Sequence, residues 1–188
     1  DNDLAPAADA ALAMQRWWIA RGRYGEGRAV VDRLLRAFDD GMRLDPRRAM
    51  RLRAARGNLG FPLDATAALA DYRAALALER ARIGDPGAID DPRLLRPLAA
   101  LLHNVGLCVQ NADATGLHAE DASRLLVESL ELWRRMNDRD GCSAVMLSIA
   151  IAAIGFGRCT DRTRSGCAAS ILSAARERDV PLAAVDAA

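Results

Sequence analysis

Apolar residues recur at three- and four-residue intervals along nearly the whole chain, the spacing that gives an α-helix one apolar face. Leu12, Trp17 and Trp18 belong to a first helix over Ala7 to Arg21, and Gly22 is positioned to stop it. Val30, Val31, Leu34, Leu35 and Phe38 form the stripe of a second, from about Gly25 to Phe38. Asp45-Pro46 reads as an N-cap followed by proline at the first helical position, opening a third helix that carries Met50, Leu52, Ala54, Ala55 and Leu59. Gly60-Phe61-Pro62 ends it, and Asp64 caps a fourth, Ala65 to about Ile83, with Ala68, Leu69, Tyr72, Ala75, Leu76 and Leu78 along its stripe. After the loop from Gly84 to Asp91, Asp91-Pro92 opens a fifth helix to about Gln110, with Pro97 in its early turns able to shift the start. Further helices are expected over Ala119 to Met136, Cys142 to Phe156 and Gly166 to Arg178. No run of β-branched and aromatic residues alternates with polar ones, so the fold class is all-α.

Composition narrows the function classes. Aromatic residues make up 4% of the chain and the apolar mass is mostly Ala and Leu, which suits helices packed closely through small side chains. The 26 basic residues are all Arg and stand against 25 acidic ones, so a uniformly basic nucleic-acid-binding domain is disfavoured, and no direct nucleic-acid binding is expected. No apolar run is long enough to span a bilayer and no signal-peptide pattern is visible, so a cytoplasmic protein without membrane contact is expected. Cys108, Cys142, Cys159 and Cys167 lack the paired short spacing of zinc or redox motifs and read as free thiols in a reducing compartment. The chain opens on Asp rather than Met, which suggests a piece of a larger protein.

Eight helices prompt a search for a period. Ala68, Tyr72, Ala75 and Leu76 align with Ala122, Leu126, Ser129 and Leu130, and with Gly27, Val31, Leu34 and Leu35. With Gly22-x-Tyr24 at the first turn and Asn104-Val105-Gly106 in the fifth helix, these residues resemble the tetratricopeptide repeat, whose period is about 34 residues. The longer loops Gln110 to His118 and Gly157 to Ser165 depart from it, as does Arg56-Gly57. The resemblance implies a right-handed superhelix of about four antiparallel helix pairs, near 7–39, 46–84, 92–137 and 141–179, forming one domain over 1–188. Trp17 to Arg28 (WWIARGRYGEGR), Leu125 to Arg134 (LLVESLELWR) and Ala168 to Arg178 (AASILSAARER) are also similar to the helical-repeat region of actinobacterial LuxR-type transcriptional regulators with a STAND-class ATPase. That likeness implies a sensor or regulatory arm. Its partner would be a protein or peptide of acidic character, with a small-molecule inducer as the alternative. A phosphate-binding loop needs a Lys that this chain lacks.

Catalysis is not expected: Ser143, Ser148 and Ser165 lie in no nucleophile-elbow pattern, and His103 and His118 lack metal-ligand spacing, so neither metal nor cofactor is assigned. The candidate binding residues are instead Arg47, Arg48 and Arg51, which helical spacing gathers into a basic strip, with Asn58 and Asn104 as contacts to a bound backbone. Trp17 and Trp18 complete the set. They point about 100° apart on a helix, so one should pack inward and the other should face a groove or a neighbour. Self-association through the terminal helices is the remaining expectation, since helical arrays need covered ends.

Overall fold

The computed structural model describes residues 3–112 and 119–155. Seven α-helices carry these residues: α1 (Ala5–Ala20), α2 (Tyr24–Asp39), α3 (Pro46–Gly60), α4 (Ala65–Ile83), α5 (Arg96–Ala112), α6 (Ala119–Arg135) and α7 (Arg139–Gly155). Strands are absent among the described residues, apart from one isolated parallel bridge between Asp3 and Arg43. The chain divides into two compact units, Asp1–Ile89 and Asp90–Ala188. The helix expected over Gly166 to Arg178, the loop Gly157 to Ser165, Cys159, Cys167 and His118 lie outside the described residues.

Local chemistry sets the helix ends. Asp45 is extended and its carboxylate accepts from the Arg48 N–H, with Pro46 at the first position of α3. Asp64 accepts from the N–H groups of Thr66 and Ala67 at the start of α4, and Asp138 accepts from Gly141 N–H at the start of α7. Gly22 and Gly84 follow α1 and α4 with φ of +66° and +67°, a left-handed conformation that a Cβ disfavours. The fifth helix begins later than Asp91-Pro92 suggests. Residues Pro92–Leu95 form a 3-10 turn, and the α-helix starts at Arg96, which leaves Pro97 in the first turn, where its missing N–H has no partner to lose.

In the first unit Ala8, Ala11 and Trp18 of α1, Val31 and Leu35 of α2, and Leu52 and Leu59 of α3 form one core cluster. The two helix starts lie side by side: Leu4 N–H donates to the Arg43 carbonyl at 3.0 Å, and Arg48 of α3 reaches Asp9 of α1. Both contacts join early turns to early turns, so α1 and α3 run parallel. Turn residues 21–23 and 61–64 return the chain along α2 and α4. On α4 the buried stripe is Ala68, Asp71, Tyr72, Ala75, Leu76 and Glu79. Leu78, which hydropathy places in the stripe, is 37% exposed, and the next inward position falls to Glu79, fully buried and held by Arg82 at 2.7 and 2.9 Å.

The second unit buries Leu95, Leu98, Leu101, Leu102, Val105, Cys108 and Val109 against Ala122, Leu126, Leu130, Leu132 and Trp133 of α6 and Val145 of α7. Ser129 Oγ donates to the Ala99 carbonyl at 2.7 Å, so the one hydroxyl on the inner face of α6 is satisfied by α5. Arg96 at the start of α5 pairs with Asp138, the cap of α7, at 2.6 Å, and His103 meets Ser148 further along. Here too the two helices are parallel and an Arg–Asp pair joins their early turns, Arg96–Asp138 in place of Arg48–Asp9.

Candidate functional site

The arginine run of α3 divides by helix face. Arg47, Arg51, Ala54 and Asn58 follow one another at intervals of four, three and four residues along a single outward stripe. Arg47 and Arg51 are exposed and make no ion pair among the described residues. Asn58 is partly exposed, and its Oδ1 accepts from the Tyr72 hydroxyl at 2.7 Å.

The other arginines of the run hold the fold. Arg48 donates to both oxygens of Asp9, at 2.9 and 2.7 Å, and to Asp45 at 2.6 Å. These bonds raise its pKa above the ordinary guanidinium value and lower those of Asp9 and Asp45. Arg53 lies 3.6 Å from Asp39. Arg56 joins three helices, donating to Asp32 of α2 at 3.0 Å and to the buried Asp71 of α4. Burial works against the Arg56 charge, but the hydrogen bonds to Asp71 and Asp32 outweigh it, so its pKa lies above the ordinary value.

The two tryptophans part as their spacing requires. Trp18 is buried against α2, where a Cβ at Gly27 would lie 2.8 Å from its ring. Trp17 is 40% exposed, with the Arg23 guanidinium 5.3 Å from its ring centroid and Arg23 itself bonded to Glu26 at 2.7 Å. Asn104 lies on α5 in the second unit, partly buried. The structure thus gathers Arg47, Arg51 and Asn58 on one stripe, engages Arg48 with Asp9 and Asp45, buries Trp18, and places Trp17 on the outer face of α1.

Two further features went unmarked in the sequence. A depression of about 790 Å³ opens beside the starts of α1 and α3, lined by Asp3, Phe38, Met42, Arg43, Asp45 and Arg48 among others. A side-chain oxygen sits at each helix start there, Asp3 accepting from Ala5 N–H and Asp45 from Arg48 N–H. Between α5 and α7 runs a polar seam. Ser148 Oγ donates to the Ala144 carbonyl at 3.2 Å and lies 2.7 Å from His103 Nε2, within hydrogen-bond distance. Gln110 donates to the Ser148 carbonyl at 3.5 Å, while its Oε1 is buried without a partner. The seven-residue interval from His103 to Gln110, two turns along one face of α5, is the sequence signal that marks this seam. Burial pushes the His103 pKa down, and it pushes the Cys108 thiol up to about 12. Cys108 and Cys142 are free thiols, and no cluster of three or more His, Cys, Asp or Glu suited to a metal occurs among the described residues.

By its helices and their packing this is an all-helical protein, and among the described residues no helix is long and apolar enough to cross a membrane. Comparison with protein-family models, with curated proteins and with solved structures gives no match to the chain.

Proposed function

We propose that the chain is a tetratricopeptide-like helical-repeat module that binds an acidic segment of a partner protein along the outward stripe of α3. The observation that carries this reading is the division of the arginine run. Arg48, Arg53 and Arg56 are ion-paired with carboxylates of the fold, whereas Arg47 and Arg51 stand one turn apart, exposed and without an ion pair among the described residues, Arg51 acting on Asp9 only through space. Guanidinium groups so placed suit carboxylates spaced along a bound peptide. The repeat character is supported within each unit. First helices run parallel and are tied at their starts, and Gly57 opposite Tyr72 repeats as Gly106 opposite Leu126. The resemblance of Trp17 to Arg28 and of Leu125 to Arg134 to LuxR-type regulators supports reading the module as the sensor arm of a multidomain transcriptional regulator.

Titration of labelled Glu- and Asp-rich peptides by fluorescence anisotropy tests this, with Lys-rich peptides as controls. The acidic peptide is expected to bind, more weakly as salt rises, and the Arg47→Glu/Arg51→Glu variant should lose binding while keeping its helical circular dichroism. Binding that survives this double reversal would overturn the proposal, as would equal binding of both peptide classes. The inducer-binding alternative rests on the depression bordered by Phe38, Met42 and Leu44. It requires ligand-induced thermal stabilisation that Met42→Arg removes.

A further inference from the structure

The inner face of α1 is accounted for by Leu4, Ala8, Ala11 and Trp18, all buried. Its outer face is apolar as well. Pro6, Ala10, Ala13, Trp17 and Ala20 fall within about 80° of one another around the helix, and all are exposed. Met14 beside them is 41% exposed. A surface helix of a self-contained unit carries polar residues on that side, so this face has the composition of a contact.

The charges beside the stripe identify what it contacts. Asp9 and Arg16 stand seven residues apart along one edge, and Asp3 and Arg21 stand just beyond the two ends. Both acid–base pairs are centred on Leu12 and Ala13. The acidic groups lie toward the N-terminal end and the basic groups toward the C-terminal end. A two-fold axis through the middle of the stripe, normal to the plane of two antiparallel helices, turns each edge of the helix onto the same edge of its copy. Asp9 of one protomer then faces Arg16 of its partner, and Asp3 faces Arg21, each twice. Parallel pairing would set like charges together instead. Arg16 and Arg21 are exposed without an ion pair among the described residues, and the Asp9 side chain is 49% exposed although it braces Arg48. At the centre, Ala10 and Ala13 allow close approach of the backbones, and Trp17 of one protomer packs over Pro6 and Ala10 of its partner.

We propose that the outer face of α1 binds a second copy of this chain in an antiparallel, two-fold symmetric helix pair. A contact made by one helix from each protomer is small, so the dimer is weak and reversible. Sedimentation velocity over a range of chain concentrations reads it directly. The wild-type chain is expected to pass from monomer to dimer, more readily at low salt. Ala13→Glu, which touches no internal contact, should remain monomeric with unchanged circular dichroism. Arg16→Asp should raise the dissociation constant roughly tenfold or more, because each substitution enters a symmetric interface twice. Arg16→Lys should largely preserve association. A wild-type chain that stays monomeric throughout overturns the proposal and leaves the stripe to a different protein. A dimer unaffected by Ala13→Glu places the contact elsewhere, and one unaffected by Arg16→Asp refutes the antiparallel register.

Discussion

Trp18 lies across Gly27 so closely that a Cβ built on the glycine would stand 2.8 Å from the indole ring, inside any normal carbon–carbon contact. The glycine is therefore part of how α1 and α2 meet. Gly27→Ala should destabilise the protein by about 1–3 kcal/mol, the usual cost of overpacking a tight contact. Gly25 lies two residues away in the same helix with nothing near its missing Cβ. Gly25→Ala is therefore expected to be neutral or to stabilise by up to about 1 kcal/mol. Urea unfolding of the two variants separates a packing role from helix propensity, because propensity alone moves both the same way.

Arg56 of α3 ties its helix to α2 and α4, through Asp32 and Asp71. Asp71 is 4% exposed, so removing its partner leaves a carboxylate in the interior. Arg56→Leu should cost on the order of 3 kcal/mol, and Arg56→Leu with Asp71→Leu should cost less than Arg56→Leu alone, since the stranded charge is gone. Unfolding midpoints of the two variants measure the difference. A double variant less stable than Arg56→Leu would assign the loss to packing and not to the charge.

His103 makes stability depend on pH in a defined window. Burial holds its folded pKa below the ordinary value of 6.5. The unfolded chain therefore binds this proton first. The contribution is fully present above about pH 6.5, and it is lost progressively as pH falls from there toward the folded pKa. Asp9, Asp45 and Asp138 have lowered values, so their contributions are lost only below the usual carboxylate range, in a separate and more acidic window. Urea midpoints should fall between about pH 7.5 and pH 5.5, and His103→Gln should flatten that fall. An unchanged slope in His103→Gln, with a flattened one in His118→Gln, would assign the effect to the other histidine.

The helices were legible because their signals are local. Asp45-Pro46, Asp64 and Gly84 act through hydrogen bonds and dihedral preferences within a few residues, and the structure places helix ends at each of them. Pro97 was legible only as a reason for the start of α5 to shift; the 3-10 turn before Arg96 is what its ring permits. Leu78 lies outside the buried stripe that hydropathy assigns it to, for a geometric reason. Hydropathy favours the leucine as the inward residue, but the angular position set by Ala68, Tyr72, Ala75 and Leu76 falls on the glutamate, and Arg82 three residues on makes its burial tolerable. Of the candidate binding residues, the strip itself could be read from spacing. That Arg48 belongs to the fold and not to the strip could not.

The sequence by itself determined the helical class of the described residues, the capped starts of α3 and α4 and the stops at Gly22 and Gly84, and the fact that Trp17 and Trp18 must part company. Each of these follows from backbone geometry or from groups within a turn of one another. The tertiary structure alone decided that Trp18 goes inward, that Arg48 and Arg56 meet carboxylates while Arg47 and Arg51 do not, and that the outer face of α1 is left apolar. Those outcomes depend on groups brought together from far along the chain, as when Asp9 reaches Arg48 across 39 positions. No periodicity within one helix encodes which carboxylate a neighbouring helix will present.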